Sequence, residues 1–150
     1  MSKVLAAGIF LVNKDNELLI CHPTNHPITF WSIPKGKVED GEEIIDAAIR
    51  ETYEECNVNL TNANSLITLG IVTYTHKKKA LQSYLCLETK NPKIDFDSFD
   101  LKCNSNVPED RGGFPEMDDY MWVSFEDAKD LLHYTQVASL EKIEEIIKNQ

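Results

Sequence analysis

Basic residues are scarce in this chain: 15 Lys and Arg stand against 25 Asp and Glu over 150 residues, a net charge of −10. Phosphate neutralisation supplies most non-specific affinity for nucleic acid, so a surface of this sign repels duplex or long single-stranded polymers. Long apolar runs are missing too. No segment approaches the roughly 20 apolar residues of a membrane-crossing helix. Met1-Ser2-Lys3 and the apolar run behind it pass straight into Asn13-Lys14-Asp15 with no small-residue cleavage site, which reads as a first strand rather than a signal peptide. The four cysteines, Cys21, Cys56, Cys86 and Cys103, share no paired spacing, which argues against a zinc site or a disulfide framework and points to a reducing, cytoplasmic setting. His22, His26, His76 and His133 likewise lack a ligand spacing. There is no internal repeat, and the length suits one domain over 1–150 with a core of its own.

Hydrophobic alternation and turn residues predict the order of elements. Residues 4–12 read as a buried strand, 13–16 as a turn and 17–21 as the returning strand of a hairpin. A loop with two prolines, 22–27, and the string Trp31-Ser32-Ile33-Pro34 lead to a glycine-bounded turn, after which a helix is predicted over 42–56. Strands at 66–74 and 80–87 join through His76-Lys77-Lys78-Lys79. That tip is the basic cluster of the chain; it offers a site for polyphosphate or an RNA 5′ end, but a solvated hairpin tip is the expected reading. A long polar connection, 91–113, of the kind that is commonly functional or mobile, precedes a strand at 119–125. Ser124 with Asp127 resembles a capping box opening a short helix to 132. A final amphipathic helix over 137–148 turns Val137, Leu140, Ile143, Ile146 and Ile147 inward. Trp31 and Trp122 are expected in the core.

The segment richest in chemistry is 36–58, GKVEDGEEIIDAAIRETYEECNV. At 3.6 residues per turn Glu51, Glu54 and Glu55 share one helix face, while Ile45, Ala48, Ile49, Thr52 and Cys56 share another, the expected core face. Like charges four apart repel by a few tenths of a kcal/mol, about 0.2–0.5, so the carboxylates need compensation. Arg50 supplies part of it; three convergent carboxylates also suit a hard divalent cation such as Mg²⁺. The plainer reading is a solvated acidic face.

Gly36, Glu42, Arg50, Glu51, Glu54, Glu55 and Val58 together match G-x(5)-E-x(7)-R-E-U-x-E-E-x-G-U, with U aliphatic, and on these residues the chain resembles the Nudix hydrolases. Two positions depart from the pattern. Thr52 replaces an aliphatic residue, and Asn57 stands where the family has a helix-ending glycine; Asn is the usual substitute able to adopt the left-handed conformation. The resemblance implies an α+β Nudix fold, a mixed β-sheet sandwiched between α-helices, and hydrolysis of a phosphoanhydride with Mg²⁺, or Mn²⁺ as its substitute. It makes Glu51, Glu54 and Glu55 the helical metal ligands, with a backbone carbonyl of Lys35 or Gly36 completing the shell. Arg50 becomes an orienter of these carboxylates. Glu42, placed in the first helical turn, takes a structural role. Glu116 is the candidate from outside the box, as metal ligand or general base, with Asp118 and Asp119 close by; a helical Glu such as Glu54 is the other candidate base.

The string Trp31-Ser32-Ile33-Pro34-Lys35-Gly36 resembles the loop leading into the box of dinucleoside polyphosphate hydrolases, and Tyr74 falls near a Tyr typical of that subgroup. Lys35, Tyr74 as a base-stacking ring, and Arg111 as a planar fork for phosphate are therefore the candidate substrate residues. The expected partner is a small nucleotide, dinucleoside polyphosphates foremost, with no membrane and no particular oligomeric state implied. ADP-ribose or NADH cleavage and removal of pyrophosphate from RNA 5′ ends are the alternatives, the net charge counting against RNA. A nucleotide-sensing Nudix module without catalysis is the rival from another class; such modules usually lose box carboxylates, and this chain keeps them.

Overall fold

An apolar run in which every residue must be covered belongs to an inner strand, and β1 (Val4–Val12) is one: from Ala6 to Val12 it is buried on both sides. The computed structural model describes residues 4–150; Met1-Ser2-Lys3, the start of the segment weighed above as a leader, lie outside them. β1 runs parallel to β5 (Lys79–Leu87), which pairs antiparallel with the edge strand β4 (Ile67–Thr73). On its other side β1 meets β2 (Leu18–Pro23) at Val12 opposite Leu18, and the two then part. Into the gap comes β3 (Lys35–Lys37), antiparallel to β1 with Gly36 opposite Ala7, while β2 continues to β6 (Met117–Val123). The described sheet is thus six-stranded and mixed, in the order β4-β5-β1-β2-β6 with β3 beside β1.

Each face of the sheet carries its own core. Phe10, Val12, Leu18, Ile20 and Leu85 pack toward α2 (Phe125–Leu131) and α3 (Tyr134–Lys148), through Leu140 and Ile143. Ile9, Leu11, Leu19 and Cys86 pack toward α1 (Ile44–Cys56), through Ala47, Ala48 and Cys56. The inward set expected of the last helix is found there, and Ser124 caps α2 by accepting from the Asp127 N–H at 3.1 Å.

Several expectations need correction. The glycine turn at 35–37 is a strand, because the parting of β1 and β2 leaves backbone groups that only another strand satisfies. α1 begins at Ile44, so Glu42 precedes the helix; its carboxylate is drawn away to Arg50. The face of α1 is also rotated. Ala48, Thr52 and Cys56 are buried as expected, but Ala47 and Glu55 are buried too while Ile45 is 37% exposed, since two alanines let the helix sit close on the sheet along 47, 48, 52, 55 and 56. α3 starts earlier, at Tyr134, because the His133 side chain accepts from the Thr135 N–H. Trp31 is buried as expected, but Trp122 is only half-buried, stacked with Phe96 and Phe99 under the connection.

That connection is fastened to the end of α1. Asn57 adopts φ 61° and ψ 31°, the left-handed cap, and its N–H reaches the Tyr53 carbonyl. Its side chain, which glycine lacks, donates to the Asp100 carbonyl at 2.9 Å and accepts from Asn104 at 2.8 Å. Asn104 also takes the Tyr53 and Glu54 carbonyls, two of the orphan acceptors of the helix end. Asn57→Ala should therefore lower the urea midpoint by an amount equivalent to about 1–2 kcal/mol, whereas Asn57→Gly should recover the backbone share and lose only the two side-chain bonds. An alanine variant as stable as wild type would show that the cap is not strained.

Candidate active site

The site forms where β3 faces α1. Gly36 is required there by contact: a Cβ at this position would collide with the Glu51 carboxyl group. One residue earlier, the Lys35 N–H donates to Glu55 Oε1 at 3.1 Å. So the short strand that fills the sheet's gap also receives two carboxylates of the helix.

Arg50 binds the rest together. Its Nε and Nη2 donate to the two Glu42 oxygens at 2.8 and 3.0 Å, a bidentate pair. Nη1 donates to Glu51 at 2.9 Å and to Glu54 at 3.1 and 3.2 Å, and Nη2 also reaches the Lys37 carbonyl at 3.0 Å. The guanidinium, held foremost by Glu42, is raised further above its already high pKa. Glu42 is itself lowered by Arg50.

The other carboxylates are held the opposite way. Burial, then the charge of Glu54, raises Glu51. Glu55, 4% exposed, is pushed well above its ordinary value, again foremost by burial, with Glu51 and Glu116 adding repulsion. It does not stand on an open helix face as the periodicity suggested. Glu116 acts on both groups, so the structure brings this distant residue to the box. Asp118 turns elsewhere: its carboxylate is 2.6 Å from His22 Nδ1, and of the acids in this stretch only Glu116 lines the cleft described next.

A cleft of about 370 Å³ opens at Glu55 and Glu116 and is lined also by Lys35, Lys77, Lys79, His26, Phe30, Tyr74 and His133. A larger hollow, about 660 Å³ along the end of α3, contains no box residue and is acidic. Lys77 is exposed, as expected of a solvated tip, but it and Lys79 also line this cleft, because the β4–β5 turn lies beside the end of β1 near which β3 pairs; the spacing along the chain gave no sign of that placement. Tyr74 is 7% exposed and packed: its ring stacks with His133 at 5.1 Å, and the Lys79 ammonium lies 5.0 Å over it. It is not an open stacking platform. Arg111 lies outside this cleft, in a lobe that adjoins it.

His22 is a feature that the sequence did not reveal. Burial alone would lower its pKa, but hydrogen bonds to Asp118 and to the Pro27 carbonyl, 3.0 Å from Nε2, outweigh this and raise it. The ring thereby joins β6 to the 23–30 loop.

Among the described residues no three acidic, histidine or cysteine side chains already form a metal cage. Arg50 and the Lys35 N–H engage the carboxylate oxygens instead. The donors still fit a hard divalent cation. They are oxygens only, and the penalty that burial and mutual repulsion place on ionised Glu51 and Glu55 is one that a nearby double positive charge relieves.

A family model of the NUDIX domain matches residues 2–143. The chain belongs to the Nudix family. The RNA pyrophosphohydrolase of Pelagibacter ubique is 26% identical over 146 residues, covering 93% of this chain and 90% of that protein. The RNA pyrophosphohydrolase of Aeromonas hydrophila is 30% identical over 122 residues, covering 79% and 68%. Two crystal structures of a C. elegans Ap4A hydrolase superpose with TM-scores of 0.73 and 0.70 at 24% and 25% identity, covering 98% of this chain and 99% of theirs. This Nudix protein is a hydrolase acting on acid anhydrides, and its family generally uses divalent metal ions.

The state of Glu55 can be checked without an assay of activity. Because its folded pKa lies above the ordinary 4.5, the unfolded chain gives up this proton first as pH rises. Stability that is complete below that value is then lost as pH climbs toward the folded pKa. Glu55→Gln removes the contribution, while its amide oxygen can still accept from Lys35. In metal-free buffer, urea midpoints of wild type should fall relative to Glu55→Gln between pH 4.5 and neutrality; parallel pH profiles would contradict a desolvated carboxyl.

Proposed function

We propose that this Nudix hydrolase cleaves a phosphoanhydride in a nucleoside diphosphate linked to another group, with dinucleoside polyphosphates as the preferred class. The observation that carries the reading is the cleft itself: Lys35, Lys77 and Lys79 gather beside Glu55 and Glu116 in a chain whose net charge is −10. A positive channel this local suits a short polyphosphate and offers nothing to a long anionic polymer. The likeness to an Ap4A hydrolase supports the same class. RNA 5′ ends are the second reading, favoured by the RNA pyrophosphohydrolases among the relatives.

Hydrolysis of P–O–P needs neutralised phosphoryl oxygens, a water in line and a base for its proton. Glu51, Glu54, Glu55 and Glu116, with the carbonyl of Gly36 or Lys35, would hold Mg²⁺, or Mn²⁺ in its place, which when bound supplies Lewis acidity and a water of lowered pKa. Arg50 fixes the rotamers of Glu51 and Glu54. Glu116, which lines the cleft, or Glu54 takes the proton. The lysines hold the phosphate chain, and Tyr74 serves them by keeping the Lys79 ammonium over its ring. A cytoplasmic setting fits the four free thiols.

The test is a panel of diadenosine tetraphosphate, ADP-ribose, NADH and 5′-triphosphorylated RNA assayed with Mg²⁺ and with Mn²⁺. The dinucleotide should give the highest kcat/KM, and Glu55→Gln should lose turnover by several orders of magnitude while staying folded. Lys79→Ala should raise KM for the dinucleotide by roughly tenfold, the scale of one charge-assisted contact of about 1.5 kcal/mol. Faster turnover of RNA than of any small nucleotide would overturn the substrate class.

A further inference from the structure

Beside the lysine-lined cleft lies a second lobe of about 400 Å³. The two share Pro23, His26, Glu116 and Met117, so they meet at the acid that closes the catalytic cluster. The lobe's own wall comes from the turn 107–114, including Arg111 and Phe114. We propose that this lobe binds the second nucleoside of a dinucleoside polyphosphate, the half that lies beyond Glu116 when the phosphate chain runs along the lysines. The inference rests on the dinucleoside reading above and adds to it where the other half of the substrate goes.

Three observations carry it. First, the lobe is built. Thr24 on one wall donates through Oγ1 to the Pro115 carbonyl at 2.6 Å and through N–H to the Glu116 carbonyl at 2.9 Å. On the other wall the Val107 N–H donates to the Phe114 carbonyl at 2.8 Å, and the Glu116 N–H to the Ser105 carbonyl at 3.0 Å. Both walls are thus tied to the segment around Glu116, just before β6, which fixes their separation.

Second, the wall chemistry suits a base. Gly112 has φ +120°, and a Cβ there would lie 2.7 Å from the edge of the Phe114 ring, so glycine lets that apolar ring pack close against the turn. His26, stacked on Phe30 at 5.1 Å, faces both lobe and cleft. Aromatic faces and a guanidinium plane are the surfaces on which unstacked bases settle.

Third, Arg111 is unspent. Among the described residues its guanidinium makes no ion pair or hydrogen bond, although the chain has 25 acidic residues to offer it. A planar cation left unpaired at the mouth of an acidic site has an anionic or π-faced ligand as its natural partner.

The experiment compares diadenosine tetraphosphate with adenosine 5′-tetraphosphate, which has the same phosphates and no second nucleoside. Wild type should prefer the dinucleotide in kcat/KM by roughly tenfold or more, the scale of one stacked base. Arg111→Ala should bring that ratio down toward one, chiefly through KM for the dinucleotide, and Arg111→Lys should restore only part because the plane is lost. Arg111 is exposed, and thermal melts of both variants report any loss of fold. A ratio near one in wild type, or an unchanged ratio in Arg111→Ala, overturns the lobe while leaving the parent reading intact. Cleavage of neither compound overturns both.

Discussion

One guanidinium sets the terms for this site. Glu42, Glu51 and Glu54 all bond to Arg50, and without it three carboxylates would face each other on and beside one helix with nothing but solvent between them. Because the five N–H donors of arginine lie in a plane, one side chain can answer acids that come from different turns and also reach the Lys37 carbonyl on the strand opposite. Lysine, a point charge, has no such geometry. The box carboxylate that Arg50 does not reach, Glu55, is the buried one, and there the protein tolerates a penalty. Glu55 sits almost out of water with only a backbone N–H as donor. A buried carboxyl under such a penalty is the kind of group found at functional sites, and it fits the proposed role of Glu55 as a cation ligand.

Charge is separated on a larger scale too. The chain is strongly acidic, yet Lys35, Lys77 and Lys79 collect on one side of Glu55 and Glu116, and Arg111 lies on the other. Under the proposed function, a polyphosphate entering there would meet cations at both ends and carboxylates in the middle. The negative remainder of the surface keeps longer anionic chains at a distance. Under the proposed function, selectivity for small substrates would follow from where a few cations sit.

The box and its helix were legible because their pattern is local: helical spacing alone puts Glu51, Glu54 and Glu55 near one another. What the spacing could not convey was rotation. A helix with acids on one side and isoleucines on the other reads as acids outward, yet Glu55 is buried and Ile45 exposed, since Ala47 and Ala48 permit a closer approach than isoleucine would. The lysine tip is exposed at Lys77 as expected, yet Lys77 and Lys79 also line the cleft, which the sequence did not show for a different reason. Its neighbours come from strands distant in sequence, and nothing in His76-Lys77-Lys78-Lys79 says which strand end it will overhang. Tyr74, expected as a base-stacking ring, lines the cleft but is packed, and its partners His133 and Lys79 were invisible until the chain had folded.

The departures from the family pattern are informative in turn. Thr52, where an aliphatic residue is usual, is fully buried and gives its hydroxyl to the Ala48 carbonyl at 2.8 Å, so the polar atom is satisfied within the helix. Asn57 does more than glycine would, because its side chain holds Asp100 and Asn104. Asn104 in turn donates its N–H to the Glu54 carbonyl at 2.6 Å, and the next residue, Ser105, accepts from the Glu116 N–H at 3.0 Å. The acid that is remote in sequence is therefore fastened to the box helix through two adjacent residues of a connection that looked loose. A glycine at 57 would leave that path with one anchor fewer, held by the bonds of Asn104 to the Tyr53 and Glu54 carbonyls.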